Sequence, residues 1–297
     1  MVIAPRPFGQ VLSDAMNSLV RTWRALLIPA LAVSVPLSIA TVLVFRWTGG
    51  GEFLDLAVNS PDRLQGLPQE VFTEIVRPFY LAAGIAAALQ VLGGVFVALA
   101  SHRAVASDLN GKTLRGGEVS VLALRRYWVG LAATLLIVVA VGILIGLGVS
   151  MWLVPVFSVG VPNAGSILVA LILLVILLGP GIWVGVAMSM TTSAVAIEYL
   201  GPLASIRRSM RLVRGRWFAT AGFLLLVGLL GGIAIQMIQL IALPLAAAGG
   251  GSGALTVASA LGVLTQGLLV AAITAMYTHW YIDLRARREG VSTTDLG

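Results

Sequence analysis

Cysteine is absent from all 297 residues, which excludes disulfides, thiolate metal sites and a catalytic thiol. Lysine occurs once, at Lys112, against eighteen arginines, a bias of codon usage rather than of function. Histidine occurs twice, at His102 and His279, too few for a histidine-built metal centre. Charged residues make up only 10% of the chain, where a soluble domain carries about 25%. No G-x-S-x-G, Walker A or H-E-x-x-H element is present. No catalytic residue, cofactor site or metal site is therefore expected, and the chain reads as a non-enzyme.

What remains is apolar. Hydrophobic residues make up 59% and the mean hydropathy is +1.00. A spanning helix needs about 20 apolar residues. Six runs qualify, at 25–45, 79–100, 128–154, 166–193, 217–243 and 254–281. Residues 1–24 are mixed and polar and lack the pattern of a signal peptide. Gly179-Pro180-Gly181 lies inside the fourth run, and the missing proline donor predicts a kink there.

The net charge of +7 raises the question of nucleic acid, but the basic residues sit in short blocks between apolar runs. Sixteen of the nineteen Lys and Arg fall in the N-terminal segment, the second and fourth connections and the tail. Positive residues stay on the cytoplasmic side, so both termini are expected in the cytoplasm of a multi-pass cell-membrane protein, with no nucleic-acid partner. The densest block is SIRRSMRLVRGRWF at 205–218. Ile206, Met210, Val213 and Trp217 share one helical face, and Arg207, Arg208, Arg211 and Arg214 lie opposite. That pattern predicts an amphipathic helix in the interface. Its arginines serve either as a topology signal alone or as a docking surface for anionic headgroups or an acidic protein partner.

The unit recurs. Residues 8–24, 117–128 and 201–217 each place an interfacial helix and a tryptophan ahead of a span. The even-numbered spans end alike, SHRAVASD at Asp108, TTSAVAIE at Glu198 and MYTHWYID at Asp283. The expected fold is an all-α polytopic bundle of six transmembrane helices, built as three repeats of interfacial amphipathic helix plus two-helix hairpin. The repeats cover about 8–110, 111–200 and 201–290 of one membrane domain, 1–290, with 291–297 as a flexible tail. A carboxylate at the edge of hydrocarbon is costly without a cation. Asp108, Glu198 and Asp283 are therefore candidates for an ion-pair clamp, with Arg207, Arg208, Arg125 and Arg126 as partners for Glu198. His279, four residues before Asp283, is placed to meet it on one helix face.

Two stretches carry a family likeness. AIEYLGPLA followed by SIRRSMRLVRGRWFATAGFLLL, and the tail MYTHWYIDLRARREG, resemble the glycerophosphoryl diester phosphodiesterase membrane domain family. Glu198, Gly201, Arg208, Ser209, Gly215, Trp217, Asp283, Arg285 and Arg288 match its pattern. The motif region covers about a third of the chain, and the six-span layout extends the likeness to most of it. The resemblance implies a fold and a membrane location. It does not imply hydrolysis, since the family name describes association with a catalytic domain and the longest loop here, 46–78, is too short to be one.

No ionisable residue lies near the middle of a span. The deep polar groups are Gln90, Gln236, Gln239, Thr265, Gln266 and Thr274. They serve either interhelical hydrogen bonds or a polar lining. Gly142/Gly146, Gly181/Gly185 and Gly228/Gly232 have the spacing of close helix contacts. The function expected is a scaffold or accessory subunit that engages anionic lipid or a partner protein in the membrane through its cytoplasmic basic helices. The alternative is a lipid or small-solute transporter, favoured by a continuous glutamine-lined cavity.

The topology can be tested with single cysteines in this cysteine-free chain. An impermeant thiol reagent on intact cells should label position 160 and leave position 112 unlabelled until the cells are opened. The reverse pattern refutes the arrangement.

Overall fold

Hydrocarbon offers no partner for backbone amides, so an apolar chain crosses it as helices that pair their own donors and acceptors. The computed structural model describes residues 5–53, 56, 60, 62–63, 68–158, 164–248 and 252–290. The expected tail at 291–297 and the side chain of Gln239 lie outside the described residues. Eight helices of eight residues or more are found: α1 (Phe8–Thr48), α2 (Gln69–Leu109), α3 (Gly116–Ser158), α4 (Ala164–Met188), α5 (Thr191–Glu198), α6 (Pro202–Val213), α7 (Trp217–Ala248) and α8 (Ser252–Glu289). No strand occurs among the described residues. Six helical stretches are long and apolar enough to cross a membrane: α1, α2, α3, α4 with α5, α7 and α8. The protein is an all-α, multi-pass bundle.

One expectation changes. The first two interfacial helices are not separate elements. Residues 8–24 run unbroken into α1, and 117–128 into α3. The first junction carries no glycine or proline, and Gly130 at the second stays helical. Only the third unit breaks, where Gly215 takes φ 90° between α6 and α7. α4 runs on through Pro180, where the sequence predicts a kink, and the chain is interrupted only later. The break falls at Ser189 and Met190, where the Ser189 hydroxyl donates to Val186 O at 2.8 Å and draws the chain into a turn.

α1 packs most extensively on α8 and next on α2; α3 lies against α4 and α2, and α7 against α8. Packing inside hydrocarbon is thin. Leu135, Val139, Val175, Ile176, Leu225 and Leu240 remain exposed, as lipid-facing side chains do. The core is concentrated toward the end where both α1 begins and α8 ends, with Leu99, Met190, Leu212, Phe223 and Tyr281 fully buried.

Helices in lipid gain nothing from hydrophobic association with one another, so close contact depends on small residues. A Cβ on Gly267 would lie 2.6 Å from Ser34 Cβ, so α8 touches α1 at that glycine. Gly93 fits likewise against Val33, at 2.5 Å. Of the three expected glycine pairs, Gly181/Gly185 faces α3 through Ile145 and Val141, whereas Gly142/Gly146 and Gly228/Gly232 face open space. Those two pairs are not packing motifs here.

Gly267→Ala should push α8 off α1 and destabilise the bundle by about 1–3 kcal/mol, the usual cost of overpacking. Gly228→Ala should leave stability unchanged or raise it slightly through helix propensity. Thermal melts of the two variants in one detergent check the contrast, and equal melting temperatures would remove the argument.

Candidate functional site

The three acids that close the even-numbered spans each meet an arginine. Glu198 ends α5. Tyr199 then adopts φ 56°, the only positive φ among described non-glycine residues, and Gly201 and Pro202 start α6. The reversal lays α6 back beside α5. Arg208 Nε donates to Glu198 Oε2 at 2.8 Å, and Arg208 Nη2 donates to Oε1 at 3.0 Å. The same guanidinium reaches α8, donating from Nη2 to Glu289 Oε2 at 2.6 Å. The Tyr281 hydroxyl donates to Glu198 Oε1. Arg285 Nε lies 3.1 Å from the same oxygen, ion-paired but not aligned as a hydrogen bond. Two guanidiniums and two carboxylates thus cancel in a mostly buried group linking α5, α6 and α8. Glu289 first, and Glu198 next, hold Arg208 charged well above the ordinary arginine range.

Arg208 therefore leaves the basic face on which the helical pattern placed it. The buried face of α6 is Ser205, Ile206, Ser209, Leu212 and Val213, with Met210 and Trp217 only half-buried. Ser209 explains part of the shift. Its hydroxyl donates to Ala187 O at 2.8 Å and accepts from Met190 N at 3.1 Å, supplying partners to the α4–α5 break. Arg207, Arg211, Arg214 and Arg216 stay exposed and form no ion pair among the described residues.

Asp108 accepts from Ser18 Oγ at 2.9 Å and from Arg21 Nη2 at 2.8 Å, joining α2 to α1. Asp283, fully buried, accepts from Arg287 Nε at 2.6 Å and from the backbone N–H of Arg6 at 2.9 Å. Arg6 in turn donates to Asp14 Oδ2 at 2.8 Å. The N-terminal segment is thereby strapped to the end of α8. His279 is fully buried but makes no hydrogen bond to Asp283, because Arg287 and Arg6 occupy the carboxylate.

The three similar span endings also meet. His102 Nδ1 lies 2.8 Å from Thr278 Oγ1, and Nε2 lies 3.2 Å from Thr192 Oγ1 and 3.3 Å from Ser193 Oγ. One imidazole so links α2, α5 and α8. Sequence reading missed this junction, along with Arg21, Tyr281, Arg287 and Glu289. Of the other clamp candidates, Arg125 is exposed with no ion pair among the described residues, and Arg126 stands over the Tyr199 ring, 4.8 Å from its centroid. Gln90 and Gln266 line a space of about 40 Å³ between α1, α2 and α8, with Gly93 and Gly267 in its wall. Gln236 is exposed on α7, away from them. Thr265 and Thr278 hydroxyls bond back to their own helix, at Leu261 O and Thr274 O. No group of three or more metal-ligating side chains occurs among the described residues.

The chain belongs to the family described as Domain of unknown function (DUF7847), whose model matches residues 7–284. No curated protein and no solved structure matches it.

Glu198→Gln should lower stability by roughly 2–3 kcal/mol, since it leaves Tyr281 without a charged acceptor and Arg285 with only Glu289, at 3.6 Å, which Arg208 shares. Arg208→Gln in that background should add less than it costs alone, with a coupling of about 0.5–3 kcal/mol. Denaturation of the two single variants and the double variant measures this; strict additivity would show that no network exists.

Proposed function

We propose that this member of the family is a non-enzymatic membrane scaffold or accessory subunit, cytoplasmic at both termini, that presents α6 as a fixed basic ledge to anionic lipid headgroups. The observation that carries the reading is the split of the α6 arginines. Arg208 is spent on Glu198 and Glu289 and clamps the helix, while Arg207, Arg211 and Arg214 are exposed and form no ion pair among the described residues. A helix held on one side and free on the other offers its charge without losing order on binding. The arginine asymmetry of the connections supports the cytoplasmic orientation.

Kinship with the glycerophosphoryl diester phosphodiesterase membrane domain is part of this reading. The residues that match its pattern fall in one place and hold the fold. Glu198, Arg208 and Arg285 pair, and Ser209 caps the α4–α5 break. Trp217 Nε1 donates to Trp183 O at 3.2 Å. Gly215 takes a left-handed turn next to Arg288. Motif residues so occupied support a structural rather than a catalytic role. A transporter, the rival, would draw on the glutamines. The space at Gln90 and Gln266 is about 40 Å³, close to the share of liquid volume of one water. That size favours the scaffold.

A fluorophore on Arg216→Cys in proteoliposomes tests the ledge. Its emission should shift to the blue in anionic but not zwitterionic bilayers and return as salt screens the charges. Replacing Arg207, Arg211 and Arg214 by Gln should remove about 1 kcal/mol of attraction per arginine and with it the shift. The same emission in both bilayers, insensitive to salt, would mean that the ledge touches no headgroups.

A further inference from the structure

Two arginines at the charged end have no carboxylate. Arg103 on α2 is 5% exposed, and its guanidinium carbon lies 3.8 Å from the centre of the Tyr199 ring. Arg126 on α3 approaches the same ring, at 4.8 Å. Neither takes part in any ion pair among the described residues. Arg103 Nη2 is buried with no hydrogen-bond partner. Glu198 adjoins Tyr199 in sequence, but its oxygens are taken by Arg208, Arg285 and Tyr281. The other buried or half-buried arginines Arg6, Arg208, Arg285 and Arg287 all meet acids. An aromatic face attracts a cation but neutralises none of its charge, so two positive charges remain there.

An apolar groove lies farther along α3. It holds about 700 Å³, within the range of ligand pockets, and lies between α3 and the start of α6. Ala132, Leu135, Leu136 and Val139 form one wall and Pro202 and Leu203 the other. Ala132 stands six residues along α3 from Arg126, about 9 Å toward the apolar part of the helix. Gly201 follows Tyr199 by two residues, and α6 starts there without a side-chain cap, leaving amide donors of the kind that favour an anion. An unneutralised cationic cluster thus stands within about two turns of α3 of a groove with the polarity of an acyl chain.

We propose that Arg103, Arg126 and Tyr199 hold the headgroup of one anionic phospholipid whose acyl chain lies in the α3–α6 groove. The phosphate supplies the acceptor that Arg103 Nη2 lacks, and Arg126 closes over it from the outer side. The site is distinct from the exposed face of α6 and stands whether or not that face meets headgroups. It differs from that face in kind: it is single, partly buried and saturable, and salt screens it less.

Native mass spectrometry of the full-length protein, with added lipid, tests this. The probes are phosphatidylglycerol, phosphatidylcholine of the same acyl chains, and glycerol phosphate. One phosphatidylglycerol should bind saturably and ahead of phosphatidylcholine. Arg126→Gln, at a half-exposed position, should weaken it by about tenfold or more, the cost of a hydrogen bond to a charged group. Leu135→Trp, which fills the groove, should weaken it too, while Arg77→Gln, exposed at the opposite end of α2 from Arg103, should not. Arg103→Gln should behave as Arg126→Gln if it folds; Arg126→Gln decides the matter if it does not. Equal retention of the two lipids, wild-type binding by Arg126→Gln, or glycerol phosphate binding as tightly as the lipid would each overturn the proposal. A second copy of the chain displaced by Leu135→Trp would overturn it as well.

Discussion

A carboxylate at the margin of hydrocarbon must meet a cation or stay in water, and Glu198 meets two. The consequences spread from that requirement. Arg208 can reach Glu198 only if the chain reverses after α5, and Tyr199 makes the reversal in a conformation that costs a bulky side chain energy. The reversal places Ser209 against the open end of α4 and brings Arg208 within reach of Glu289 at the end of the last span. A single guanidinium so couples the fourth span, the basic helix and the sixth span. Removing Glu198 would leave Arg285 and Tyr281 facing each other without the group that reconciles them.

The contrast between the two parts of the bundle follows from the solvent of each. Within hydrocarbon, apolar side chains are as well placed against lipid as against a neighbouring helix, so contacts there rest on small residues such as Gly93 and Gly267. At the charged end water and headgroups return, and ordinary burial of Leu99, Leu212, Phe223 and Tyr281 becomes favourable. Polar side chains are buried in the same layer, several of them with partners that few positions can supply. His102 needs hydroxyls from two other spans, and Thr192 and Thr278 provide them. Relative placement of the spans is thus specified where the polar chemistry lies, not along the apolar lengths.

The six spans were legible because long apolar runs have a single solution in lipid. The acids at Asp108, Glu198 and Asp283 were legible as points that needed cations, and Arg208 stood among the partners considered for Glu198. Arg285 and Glu289 were not, because they lie more than 80 residues away and only the packing of α8 on α5 and α6 brings them near. Helical periodicity also misplaced Arg208. A wheel treats all four arginines as equivalent, while a nearby carboxylate outweighs the attraction of water for one of them. The break at Ser189 and Met190 was hidden for a related reason. Pro180 carries the local signal for interruption, but an exposed proline loses one amide bond and the helix continues. Met190 carries no signal, and the turn there depends on a serine nineteen residues later. The first two interfacial helices merged into their spans because similar composition does not create a break without a residue such as Gly215.

The excess positive charge is the remainder after these pairings. Arg6, Arg21, Arg208, Arg285 and Arg287 are matched by Asp14, Asp108, Glu198, Glu289 and Asp283, so they add nothing to the field around the molecule. The net +7 is carried instead by basic residues that pair with no acid among the described residues. These divide by environment. On α6 they are hydrated, where water already meets most of the cost of charge and an anionic surface adds a screened attraction. At Arg103 burial has removed most of that water, Nη2 is left without a hydrogen-bond partner, and Tyr199 is the group that stands against the charge. The same residue type is therefore content in one place and under-compensated in the other. A diffuse anionic surface can satisfy the first, whereas the second calls for a single anion brought to a fixed point, with an apolar body that can follow the groove farther along α3.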